Sequence, residues 1–205
     1  MRHRVAQYKV RNVRTGTRIT MAILLGGWLC GIVLVGFMAA ENFWMIDRLL
    51  AASLHAAFHK DVAQLPVGEA RAMLRYVASE LNRFYFVWWG WTEAVLGLAL
   101  LVMAVRLRNR RAATSVAAML GLVAAMQLYL TPRIVELGRA LDFVPREPPP
   151  PNLTEFGLLH AAYSLLDLVK LGVGVWTAVV LIRSEPPDQQ ASPPIPEIPP
   201  IQTNP

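Results

Sequence analysis

Four stretches of the chain consist almost wholly of apolar residues, at about residues 19–40, 84–105, 112–131 and 156–182. Each has the length of about 20 residues that an α-helix needs to cross the hydrocarbon core of a bilayer. None alternates apolar and polar positions as a barrel strand would. Because backbone N–H and C=O groups in lipid must be paired internally, the pattern predicts four membrane-spanning α-helices. The expected fold is all-α, a polytopic membrane four-helix bundle.

The polar intervals carry structure of their own. From Ala70 the residues Ala70, Met73, Leu74, Val77, Leu81 and Phe84 follow helical spacing, with Arg71, Arg75, Ser79 and Arg83 on another face. Helix two therefore extends outward from its span, and helix one extends likewise through Phe43, Ile46, Leu50 and Leu54. Pro66 and Gly68 mark the turn between them, so the two extensions are expected to stand outside the bilayer as a hairpin. Pro145 and Pro148 to Pro151 predict an extended connection into helix four, since proline offers no N–H and disfavours helix in its predecessor. Three regions result: a basic leader (1–18), a four-helix domain (19–183), and a proline-rich tail (184–205) that lacks the apolar mass to fold alone.

Composition supports lipid as the solvent: 55% of the 205 residues are hydrophobic. The net charge of +6 is distributed as topology, not as a nucleic-acid surface, because the basic residues flank the apolar runs. Arg2, Arg4, Lys9, Arg11, Arg14 and Arg18 precede span one, and Arg106, Arg108, Arg110 and Arg111 fill the second connection, with no acid among either group. Both segments should be cytoplasmic, which places both termini inside a cell membrane, such as a bacterial inner membrane. The first span is too long for a signal-peptide core, and Phe37 or Met38 would occupy a small-residue cleavage position, so it reads as a retained anchor. The single cysteine, Cys30, excludes an internal disulfide and reads as a buried small hydrophobe.

The candidate chemistry lies in LHAAYSLLDLVKLG, residues 159–172. At 3.6 residues per turn His160, Ser164, Asp167 and Gly174 share one face, with Lys170 one turn beyond Asp167. Measured from Phe156 at about 1.5 Å per residue, Asp167 and Lys170 lie roughly 16–21 Å deep, near mid-membrane. Charges at that depth must be compensated, so Asp167 and Lys170 should pair at i,i+3. Glu93 in span two reaches a similar depth and leaves one negative charge in excess. The economical interpretation is a salt bridge that stitches helices together, with Glu93 protonated or hydrogen-bonded. The alternative is a proton or cation relay.

Other features carry less. His55 and His59 have the i,i+4 spacing of a metal or haem pair but no third ligand nearby, unless Asp61 or Glu80 approaches across the hairpin; solvated surface histidines are the simpler reading, and no cofactor is expected. Gly27 and Gly31 form a GxxxG pair suited to close helix packing. Trp88, Trp89 and Trp91 suit an aromatic belt at the headgroups. No phosphate-binding glycine loop, Cys/His pair or GxSxG elbow occurs, so no enzyme is expected.

Four patches together resemble the transmembrane protein 205-like family, domain of unknown function 4149: GGWLCGIVLVGF in span one, LNRFYF at 81–86, YLTPRIVELGR at 129–139 and FGLLHAAYSLLDL at 156–168. The resemblance implies a small four-span protein and brings no catalytic residue or cofactor. It also implies His, Ser and Asn at intervals of three and seven along helix four. Here His160 is followed by Tyr163, with Ser164 beside it, and by Asp167, an acid where the family has an amide. The expected role is a structural or accessory subunit of a larger membrane assembly, with partner subunits in lipid and a tail able to bind a cytoplasmic protein. The alternatives are a small transporter or proton/cation-coupled protein using Glu93, Asp167 and Lys170, and, as a minor one, a metal- or haem-binding protein.

The charge bias predicts a labelling pattern. With Cys30 replaced by serine, Ala6→Cys and Gln190→Cys should react with an impermeant maleimide only after the membrane is opened, and Gln64→Cys in intact spheroplasts. Labelling of Gln64→Cys from the cytoplasmic side alone would invert the topology.

Overall fold

The structure, a computed structural model, describes the backbone of residues 2–52 and 55–183 and the side chains of residues 13–51 and 55–183. The proline-rich tail and Leu54 lie outside the described residues, as do the side chains of the first basic positions. The helices are α1 (Arg2–Ala52), α2 (Ala56–Val62), α3 (Glu69–Arg106), α4 (Arg110–Ala125), α5 (Thr131–Ala140) and α6 (Asn152–Arg183). A π-helical segment, Met126–Leu130, joins α4 to α5 without a break. No strand occurs among the described residues. Four helices are long and apolar enough to cross a membrane: Val13–Ala51, Glu69–Arg106, Arg110–Ala140 and Asn152–Arg183.

Side-chain contacts fix how the helices run. Trp28 meets Glu93, Asn42 meets Asn82 and Asp47 meets Arg71, so α1 and α3 are antiparallel. Gln127 reaches the Val87 carbonyl and Leu120 lies against Gly97, which sets α4 antiparallel to α3. Arg18 donates to the Leu181 carbonyl at 2.8 Å and Leu29 lies against Gly174, which sets α6 antiparallel to α1. The shared core at the end near Arg183 takes Met21, Leu25 and Trp28 from α1, Leu100 and Ala104 from α3, Val116 and Met119 from α4, and Leu181 from α6.

Large apolar residues cover the outside. Phe37, Trp44, Phe84, Trp88, Leu98, Leu158 and Leu165 are all exposed, while Asn82, Glu93, Thr131, Lys170 and Thr177 are buried. In lipid an apolar side chain gains nothing by turning inward, whereas a polar one must, and the structure follows that rule. Met73, Val77, Leu81 and Phe84 face outward, and the inward face carries Ala78, Asn82 and the largely buried Arg83. Cys30 is likewise exposed, on the outer side of α1.

The third long helix contains Pro132, which lacks an N–H and whose ring crowds the carbonyl four residues back. The π-helical turn immediately before it widens the helix there and absorbs the conflict. The Asn109 side chain caps the start of α4 by accepting from the Ala112 N–H at 3.1 Å.

The GxxxG pair is used on one side only. A Cβ at Gly31 would collide with the indole of Trp89, so that ring packs inward against the core, whereas Trp88 and Trp91 are exposed. At Gly27 a Cβ would meet nothing within 4 Å. Gly31→Ala should therefore cost about 1–3 kcal/mol through overpacking, read as a lowered unfolding temperature in detergent, while Gly27→Ala should leave it unchanged. Equal losses at the two positions would mean that Trp89 does not pack as described.

Candidate functional site

Midway along α3 and α6 three charged side chains meet. Lys170 is fully buried, and its ammonium donates to both Glu93 oxygens at 2.7 Å. The Trp28 indole donates to Glu93 Oε1 at 2.9 Å, so the carboxylate is held from two helices and its side chain is only 2% exposed. Asp167 Oδ1, itself buried, lies 2.9 Å from the same ammonium as its i,i+3 ion-pair partner. The expected i,i+3 pair is present, but it is not the one that joins helices. Lys170 makes its two shorter contacts to Glu93 across the assembly, and Asp167 adds a second negative charge from the same helix.

The two carboxylates also differ in surroundings. Asp167 keeps 24% of its side-chain surface and lines a cavity of about 430 Å³. Four walls enclose this space: Gly36, Ala39, Ala40 and Phe43 of α1, Ser79, Asn82, Arg83 and Phe86 of α3, Thr131, Ile134, Val135 and Gly138 of α5, and Phe156, His160, Tyr163 and Ser164 of α6. The stripe expected on α6 is thus gathered as far as His160, Ser164 and Asp167. Lys170 and Glu93 lie beneath it, and Gly174 packs instead against Leu29 and Met119. Ser164 Oγ donates to the His160 carbonyl at 3.0 Å, and the imidazole rests on Phe156 with ring centroids 4.8 Å apart.

Polar ties brace the rim. Arg83 donates to Glu80 at 2.6 Å and holds both Asp142 oxygens, at 2.9 and 3.0 Å. Gly138 leaves space for this guanidinium, which would stand 3.2 Å from an added Cβ. Asn82 accepts from Asn42 at 2.6 Å and donates to the Ala39 carbonyl at 3.0 Å. These residues escaped the sequence pattern: Arg83 reads as part of a solvated face and Asp142 as a loop acid, and only the amide-guanidinium pair Asn82–Arg83 abutting an apolar run signals an inward polar face. Thr131 is a further case, buried to 4% exposure in the cavity wall beside Tyr163.

His55 and His59 are exposed, the first just before α2 and the second within it. Glu80 is engaged with Arg83 and Arg139 and does not complete a ligand set with them. Among the described residues no group of three or more His, Cys, Asp and Glu side chains is placed to hold a metal ion.

Comparisons with protein-family models, with curated proteins and with solved structures find no match. The resemblance described above rests on its four sequence patches alone.

The geometry predicts unequal carboxylates. Lys170→Met and Glu93→Gln should each destabilise the protein by about 3–5 kcal/mol, since each strands a buried charge, and the double variant should recover most of that loss. Asp167→Asn should cost under about 1 kcal/mol, because Lys170 keeps both Glu93 oxygens and an amide oxygen can still face the ammonium. Thermal unfolding in detergent decides between this and the reverse ranking, which would make Asp167 the structural partner.

Proposed function

We propose that this chain is a proton-coupled carrier of the cell membrane, with its termini in the cytoplasm and its cavity open towards the opposite side. The single observation that supports this most is the contrast between the two acids: Glu93 is sealed among Lys170 and Trp28, whereas Asp167, ion-paired to the same lysine through Oδ1, keeps 24% of its side-chain surface and lines the cavity. Two carboxylates against one ammonium leave a formal charge of −1 in a low-dielectric setting, which is costly unless a proton or cation neutralises it. Lys170 and Glu93 form the fixed pair, and Asp167 carries the charge that exchanges. The charged and titratable side chains around it are Lys170, His160 and Tyr163 on α6 and Glu93 and Arg83 on α3; α1 and α5 bring no ionisable side chain to the cavity wall. No catalytic step is assigned to any of these residues.

A structural seam would need only the Lys170–Glu93 pair; neither the cavity nor the second acid serves that purpose. The test is infrared spectroscopy of the protein in lipid across a pH series. A carboxylic-acid band should appear reversibly on acidification, vanish in Asp167→Asn and persist in Asp167→Glu with altered frequency. A band that survives Asp167→Asn, or the absence of any titrating band, would refute the coupling and return the chain to the accessory-subunit role.

A further inference from the structure

Besides a carboxylate, the cavity offers walls that select what it holds. Its net charge is set by acids: Asp167 is incompletely neutralised at the floor, while the one guanidinium in the wall, Arg83, is already committed to Asp142 and Glu80. An anion would have to break that clamp, whereas a cation meets a waiting charge. The volume of about 430 Å³ is far larger than a bare metal ion requires and falls in the range of roughly 300–1,000 Å³ of small-organic sites. Phe43, Phe86, Phe156 and Tyr163 line it, rings whose faces attract ammonium groups and whose bodies suit apolar ones.

We infer that the cavity binds a small organic ammonium with an aromatic or aliphatic body, with Asp167 as its counter-ion. The inference rests on reading the cavity as the carrier's solute site. The ammonium replaces the proton on Asp167, so the two compete: binding weakens as pH falls through the range where Asp167 protonates. No covalent step is involved.

Isothermal titration of the full chain in lipid nanodiscs tests it with three probes of similar shape, phenethylammonium, 2-phenylethanol and phenylacetate. Phenethylammonium should bind and the other two should not, and its affinity should drop by about tenfold or more in Asp167→Asn, which removes the charge-assisted contact. Gly36→Leu is the second variant. A side chain there meets nothing within 4 Å and points a leucine into the open volume, so the fold is kept while the space is filled, and binding should be lost. Binding that favours phenylacetate, that does not distinguish the three probes, or that survives both variants overturns the inference, as does absence of binding by all three. If the Asp167 infrared band titrates while phenethylammonium fails to bind, the solute class is wrong and proton coupling stands. Binding without a titrating band has the opposite meaning.

Discussion

A lysine ammonium with no exposure at all, at the middle of long apolar helices, has to be hydrogen-bonded to a carboxylate, and the rest of the arrangement depends on how that is done. Lys170 on α6 and Glu93 on α3 meet between helices that run parallel to each other, separated in sequence by the antiparallel α4 and α5. Trp28 joins them from α1, so one carboxylate ties three helices at one level. Helix contacts in lipid lack the hydrophobic drive available in water, and van der Waals packing alone specifies register weakly. The triad is directional: turning α6 by one residue, about 100°, would carry the ammonium away from Glu93.

From that level the two ends of the assembly differ because their residues do. Towards Arg183 the interior is filled by Trp28, Leu100, Met119 and Leu181. Towards Asn152 the facing residues shrink to Gly36, Ala39 and Ala40 on α1 and Gly138 on α5, and the helices stand apart around a cavity. The π-helical turn before Pro132 belongs to the same design. It changes the facing of α5 relative to α4, so that Gln127 reaches the Val87 carbonyl while Thr131 turns into the cavity wall.

Run length and charge bias in the sequence locate the four long helices, and helical spacing brings His160, Ser164 and Asp167 to one face. Depth alone likewise marks Glu93 as level with Lys170. What spacing cannot supply is distance across helices, and for this reason the nearest acid in sequence, Asp167, reads as the partner although Glu93 holds the lysine. The same limit applies to Gly27 and Gly31: the motif is identical from either residue, and only the position of Trp89 separates the glycine that is used from the one that is not. The burial of Arg83 is hidden from the pattern for another reason. An apolar helical face signals a core in water and a lipid contact in a bilayer, so the periodicity is legible while its sign depends on the solvent.

That inversion also explains why the cavity stays open. In water, apolar walls around an empty space would be driven together, but lipid-facing helices gain little by closing on one another. The spacing is held instead by polar ties at the rim, Asn42–Asn82–Ala39 between α1 and α3 and Glu80–Arg83–Asp142 between α3 and the segment after α5. Both ties end on residues that line the cavity or flank it. A buried guanidinium bound to two carboxylates and an amide bound to a backbone carbonyl cannot slide without losing partners that lipid does not replace. The cavity above Asp167 is therefore bounded by the interactions hardest to rearrange in a bilayer, at its rim by Asn82 and Arg83 and at its floor by Lys170.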